Sequence, residues 1–130
     1  MIDVVLARYR IPPEWCEVVD DVLDWCRQNG IDDDDPFRAA KCFYTPAKCH
    51  IVLSAIQTDD LIAGGKSRML CDGLGDEVAR LDTDVRYLLH LVLHEVAAFT
   101  LQVSDQLARD RWAFDEMQHH STALNLSVAG

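Results

Sequence analysis

The sequence predicts a small α+β domain, and three observations carry that prediction. Residues 13–29 repeat apolar side chains at helical spacing, two runs rich in aromatic and β-branched residues flank Pro46, and residues 84–120 contain neither glycine nor proline. The first pattern reads as an N-terminal amphipathic helix and the second as a short antiparallel hairpin. The third reads as a central buried helix followed by another helix. At 130 residues the chain has the size of one domain. A single unit is expected over residues 1–120, with a C-terminal tail at 121–130.

Each element has a local reason. Residues 2–9 alternate loosely and suggest a short strand. From Pro13 to Asn29, Trp15, Val18, Val19, Val22, Leu23, Trp25 and Cys26 fall on one helical face, with Glu14, Glu17, Asp20, Asp21 and Asp24 opposite. Pro13 suits a first turn and Gly30 a stop. The run Asp32 to Asp35, closed by Pro36, lacks the alternating ligand spacing of an EF-hand and reads as a solvated turn. Residues 39–45 and 49–55 form the hairpin. Gly64-Gly65, Gly73 and Gly75 punctuate the next stretch, with Ser67 to Cys71 as a short edge strand and residues 76–81 as a helical turn. Asp82-Thr83-Asp84 supplies helix-start chemistry. Val85, Leu88, Leu89, Val92, Val96 and Phe99 then build an apolar stripe, and apolar residues at 91, 93, 97 and 101 extend it nearly all round. Ser104-Asp105 offers a second cap, ahead of Leu107, Ala108, Phe114 and Met117.

Composition narrows the partners. The net charge is −10, which opposes a nucleic-acid backbone, because phosphate binding is driven by Lys and Arg. Such acidity fits a solvated surface, a basic protein partner or a DNA-mimicking inhibitor. No run approaches the ~20 apolar residues that span a bilayer, and MIDVVLARYR lacks the pattern of a signal peptide. A cytoplasmic protein without membrane contact is expected. The five cysteines include no C-x-x-C pair and are expected to be reduced. Cys16 and Cys26 fall on the apolar helix face, whereas Cys42 and Cys49 flank the hairpin and could approach each other. A zinc site from Cys42, Cys49 and His50 is conceivable beside a purely structural role.

Functional information concentrates in residues 90–117, HLVLHEVAAFTLQVSDQLARDRWAFDEM. His94-Glu95 opens an H-E-x-x-H pattern, whose chemistry needs two imidazoles four residues apart on one helix face to grip Zn²⁺. The glutamate between them deprotonates the metal-bound water. Here the second histidine position is Ala98.

The segment YLLHLVLHEVAAF, followed by ARDRWAFDEM, resembles the small single-domain zincins called minigluzincins. The resemblance spans residues 39–117 in element order and residues 87–117 at motif level, through His94, Glu95, Asp110, Trp112, Ala113 and Phe114. It implies a zincin-like fold in which His94 matches the first zinc ligand and Glu95 the general base. It also puts Ala98 at the second ligand position and Ala108 at the third, a glutamate in the family. A methyl group donates no lone pair.

Other residues could rebuild a site. His90 and His94 are four apart and share a face, although Leu91 then holds the base position. His119, His120, Asp105 and Asp110 could contribute if the second helix folds back. In one continuous helix, positions 94 and 110 would lie about 24 Å apart, so any shared metal requires a turn near Ser104. Simpler roles compete: His90 as a core histidine, and His94-Glu95 as a buried pair with Asp110 or Arg111. Trp112 and Phe114 are then core, and His119-His120 close a helix against its dipole. Gly64-Gly65-Lys66-Ser67 lacks the upstream glycine of a phosphate loop.

The leading expectation is a degenerate zincin-like protein without a cofactor, acting by macromolecular binding as an inhibitor or adaptor. The alternative is an active metal-dependent peptidase, with zinc on His94 and His90 and Glu95 as the catalytic residue. A third reading is a structural subunit that uses the apolar helix at 85–101 in an oligomer interface.

Overall fold

The computed structural model describes residues 1–120, so the expected tail at 121–130 lies outside the described residues. The fold is α+β as expected: six helices and a three-stranded mixed sheet of order β1-β3-β2.

The chain opens with helix α1 (Ile2–Arg8) rather than a strand. Val5 and Leu6 are fully buried while Val4 is exposed, a helical division of faces that loose alternation disguised. Arg10, in the left-handed region at φ 59, ends the helix, and the Ile11 N–H reaches back to Leu6 O at 3.0 Å.

The second departure is larger. Residues 13–29 do not form one helix. A 3₁₀ turn at Pro13–Trp15 leads into strand β1 (Cys16–Val19), and α2 covers only Val22–Gln28. β1 runs parallel to β3, with Val18 opposite Leu53. That ladder satisfies backbone groups that a helix would otherwise have satisfied, and Val18 turns outward. Asp21 then caps α2, accepting from Leu23 N at 2.8 Å, and the Val22 N–H donates to the buried Ser54 Oγ at 3.0 Å. Gly30, at φ 69, stops the helix where expected, with Ile31 N bonded to Cys26 O at 2.8 Å.

The hairpin pairs β2 (Ala40–Tyr44) with β3 (Cys49–Ser54), matching Phe43 to His50 and Tyr44 to Cys49. Thr45 closes the turn around Pro46 by accepting the N–H groups of Ala47 and Lys48. Because strand residues alternate faces, Ile51 and Leu53 enter one core cluster while Val52 joins Val22 and Cys26 beneath α2.

The Asp32–Asp35 run has no regular structure, as expected, but it is not simply solvated. Only 3 % of the Asp33 side chain is exposed, and it accepts from Arg38 at 2.9 Å and Lys41 at 2.8 Å. Burial pushes its carboxyl up, yet hydrogen bonds from Lys41, the Asp35 backbone and Arg38 outweigh this and hold it down at about 2.

The expected edge strand at Ser67–Cys71 is instead the end of helix α3 (Asp59–Cys71), capped by Thr58, whose hydroxyl accepts from Leu61 N. Gly64 and Gly65 are internal to this helix rather than punctuation. A methyl at Gly64 would overlap the Phe37 ring, and one at Gly65 the Tyr87 hydroxyl, so close approach explains both. Helix α4 (Gly75–Val78) supplies the brief turn expected at 76–81.

Helix α5 (Asp84–Leu101), capped by Thr83 Oγ1 on Arg86 N, buries Leu89, Val92, Leu93 and Val96 completely. Each such side chain contributes about 1.5–3 kcal/mol of burial. Gln102, left-handed at φ 55, ends it, and Asp105 starts helix α6 (Gln106–His120) by accepting from Leu107 N at 3.1 Å. The two helices meet at 114°. α5 packs on α1 and the hairpin, and α6 lies against α5. No single helix among the described residues is long and apolar enough to cross a membrane.

Two outcomes follow from these contacts. Gly65→Ala should lower the urea midpoint, because the Tyr87 it meets is only 4 % exposed and overpacking costs about 1–3 kcal/mol. Gly64→Ala should lower it too, because the methyl would meet Phe37 Cγ at 2.2 Å and Cβ at 2.6 Å, and a Cβ moves only with its backbone, which outweighs the ~1 kcal/mol of helix propensity that alanine gains. An unchanged midpoint in both variants would sink the close-approach account. Asp33→Asn should cost roughly 1–2 kcal/mol at pH 7. Since the folded carboxyl titrates low, that stability is present above the unfolded value near 3.9 and disappears as pH falls towards 2. Denaturation curves at pH 7 and pH 2.5 check this; an equal difference at both contradicts it.

Candidate metal centre

The turn near Ser104 that a shared site requires is present, and it brings α6 back across α5. His90 and His94 occupy successive turns of α5 and face α6. Ala97 and Ala98 on α5 and Ala113 on α6 are fully buried, and their small side chains let the helices approach. Asp110, on α6, is the meeting point. Its Oδ1 lies 2.7 Å from His94 Nδ1 and 3.0 Å from His90 Nε2. Its Oδ2 accepts from Arg68 Nη1 at 2.9 Å, and Arg68 Nη2 lies 3.4 Å from Oδ1. Arg68 comes from α3, so one carboxylate ties three helices together.

Protonation follows from these contacts. Burial pushes the Asp110 carboxyl up, but the hydrogen bonds from His90, His94 and Arg68 win and hold it well below the usual carboxylate range. Burial lowers His90, against the pull of Asp110, and keeps its ring neutral. A neutral His90 gives its Nε2 proton to ionised Asp110, which leaves Nδ1 a bare lone pair. That atom is buried without a hydrogen-bond partner among the described residues, and the ring instead stacks on Phe114 with centroids 4.1 Å apart.

A cavity of about 300 Å³ opens beside this cluster, bordered by Arg38, Arg68, Tyr87, His90, His94 and Glu95. Glu95 is only 5 % exposed. Burial raises its carboxyl above the ordinary value, although His94, Arg109 and Arg38 oppose the rise. Both His94 and Glu95 are buried, and His94 bonds Asp110 as expected of the pair, but Glu95 has no hydrogen bond among the described residues. His94 alone engages Asp110. Arg111 faces solvent, and Arg68 plays the part considered for it.

The zinc ligand set that the family resemblance implies does not fit. Ala98 is sealed in the core with no exposed surface, and Ala108 likewise carries no donor atom, so His94 stands alone of the three. The other rescue candidates are engaged elsewhere. His119 lies 3.3 Å from Glu116, Asp105 caps α6, and His120 is buried with Nε2 2.9 Å from the Tyr9 hydroxyl. Burial lowers His120, which works against a cationic role at the helix end. Trp112 packs partly buried against the main core, and Phe114 lies in the second cluster, as expected.

The residues proposed for a cysteine site separate. Cys42 and Cys49 are near neighbours on one face of the hairpin, and their contact together with burial pushes the Cys42 thiol up. His50 points to the opposite face, against Trp25 and 3.0 Å from Glu17. All five cysteines are free. Among the described residues, the one group of donors able to share a metal ion is His90, His94 and Asp110, whose ligand atoms all lie within 4.8 Å of one another.

No protein-family model matches the chain, and no curated protein or solved structure matches it either.

Asp110→Asn should destabilise the protein by about 3–5 kcal/mol at pH 7, because Arg68 and both histidines lose a buried anion. Urea denaturation reads this directly. A change within ~0.5 kcal/mol would show that the cluster does not hold the three helices together.

Proposed function

We propose that this chain is a zincin-like domain that has lost peptide-hydrolysing chemistry and acts by binding another macromolecule. Support for the scaffold comes from the order of elements. A hairpin packs on a helix bearing His94-Glu95, and a second helix with the D-R-W-A-F run returns across it at 114°. The lost chemistry rests on one observation. Ala98 is wholly buried where the second ligand belongs, so neither a side-chain donor nor open space remains at that position.

The reading takes the partner to be a basic protein met in the cytoplasm. Twenty-two acidic residues against 12 basic ones favour that charge and oppose a nucleic-acid backbone. An oligomeric subunit built on the apolar helix has less support. α5 spends most of its apolar side chains inside its own chain, leaving mainly Val85 and Leu101 exposed at its ends. The peptidase alternative draws on Glu95, which borders the same cavity as His94 and could serve as a base.

Incubation of zinc-supplemented protein with a peptide mixture, read by mass spectrometry, separates the readings. No cleavage above the protein-free control is expected. Cleavage that vanishes in Glu95→Gln would overturn the non-catalytic reading. The binding half is checked by cross-linking in cells and salt titration of the recovered complex, which should dissociate as ionic strength rises. A chain that stays uncomplexed at every salt concentration counts against it.

A further inference from the structure

We propose that His90, His94 and Asp110 form a binding site for one divalent transition-metal ion, set one helical turn away from the site that the HE dipeptide marks. The inference does not depend on the proposed function. An ion at this position does not require peptide hydrolysis, and Leu91, which follows the first histidine of the pair, cannot activate water.

Geometry is the first argument. Two donors sharing one ion at ~2.0–2.1 Å must themselves stand about 3 Å apart. Asp110 Oδ1 lies 2.7 Å from His94 Nδ1 and 3.0 Å from His90 Nε2, and all three ligand atoms fall within 4.8 Å of one another. Small adjustments of side chains already held by packing would complete the set. The three side chains are 4 %, 7 % and 0 % exposed, so water competes weakly for the donors.

The surroundings supply the second argument. Arg68 holds Asp110 Oδ2 at 2.9 Å and approaches Oδ1 less closely, at 3.4 Å, which fixes the carboxylate plane with Oδ1 towards the two histidines. Hydrogen-bonded outer partners of this kind are characteristic of metal-binding carboxylates. The adjoining cavity leaves room for water in the remaining coordination positions. Imidazole with carboxylate suits Zn²⁺, Co²⁺, Ni²⁺ or Fe²⁺ better than Ca²⁺ or Mg²⁺.

The ring nitrogens that face Asp110 Oδ1 are Nε2 of His90 and Nδ1 of His94. On metal binding these two nitrogens offer their lone pairs, and the ring protons sit on Nδ1 of His90 and Nε2 of His94. The ion then replaces two hydrogen bonds with three coordinate bonds, and it clamps α5 to α6.

The test uses the full chain, stripped with chelator, then titrated with Zn²⁺ by calorimetry and with Co²⁺ by visible absorption. One ion per chain is expected, with a cobalt d–d band and no thiolate charge-transfer band. Zinc at about 100 times its dissociation constant should raise the melting temperature by about 10 °C. His90→Gln, which preserves bulk and polarity, should weaken zinc binding at least ~10-fold. Asp110→Asn should do the same where it remains folded. Three results overturn the proposal: no stoichiometric binding, unchanged affinity in His90→Gln, or a thiolate band that moves the ion to Cys42 and Cys49. Metal binding without peptide cleavage leaves both this inference and the proposed function standing. Cleavage by metal-loaded protein sinks only the latter.

Discussion

A single buried anion organises this molecule. Asp110 is completely removed from solvent, and an isolated carboxylate in that position would carry a desolvation cost of several kcal/mol. Its neighbours are therefore constrained. α3 must present Arg68, α5 must present His90 and His94 on consecutive turns, and α6 must cross α5 at an angle that brings Asp110 between them. The left-handed Gln102 and the Asp105 cap produce that angle. The alanines at the crossing let the helices come close enough for 2.7–3.0 Å contacts.

Much of this was legible in the chain, for identifiable reasons. α5, α6 and the hairpin follow from patterns that persist over many residues, and the break near Ser104 from its capping chemistry. The segments that misled were short. Residues 16–19 carry an apolar pattern compatible with a helix, yet a partner strand more than thirty residues away makes them β1. Residues 67–71 look like a strand only while the two glycines before them are taken as breaks. Their true reason, contact with Phe37 and Tyr87, lies outside any local window.

The cluster shows the same limit. His90, His94 and Asp110 could each be singled out from helical spacing and from the D-R-W-A-F run. Arg68 could not, because 42 residues separate it from Asp110 and nothing nearby marks it. The HE dipeptide also needs two readings. His94 turns to Asp110, while Glu95 borders the cavity with no hydrogen bond among the described residues. The dipeptide alone does not distinguish these environments.

The strand order has a consequence for how the chain assembles. β3 is the middle strand of the sheet but the last of the three in sequence. β2 and β3 are joined by a four-residue turn and can zip together on the microsecond scale typical of hairpins. β1 has nothing to pair with until that hairpin exists, and its parallel ladder must close a loop running from Cys16 to Ile51. β1 therefore docks late, onto a hairpin already formed, whereas α1 packs against α5.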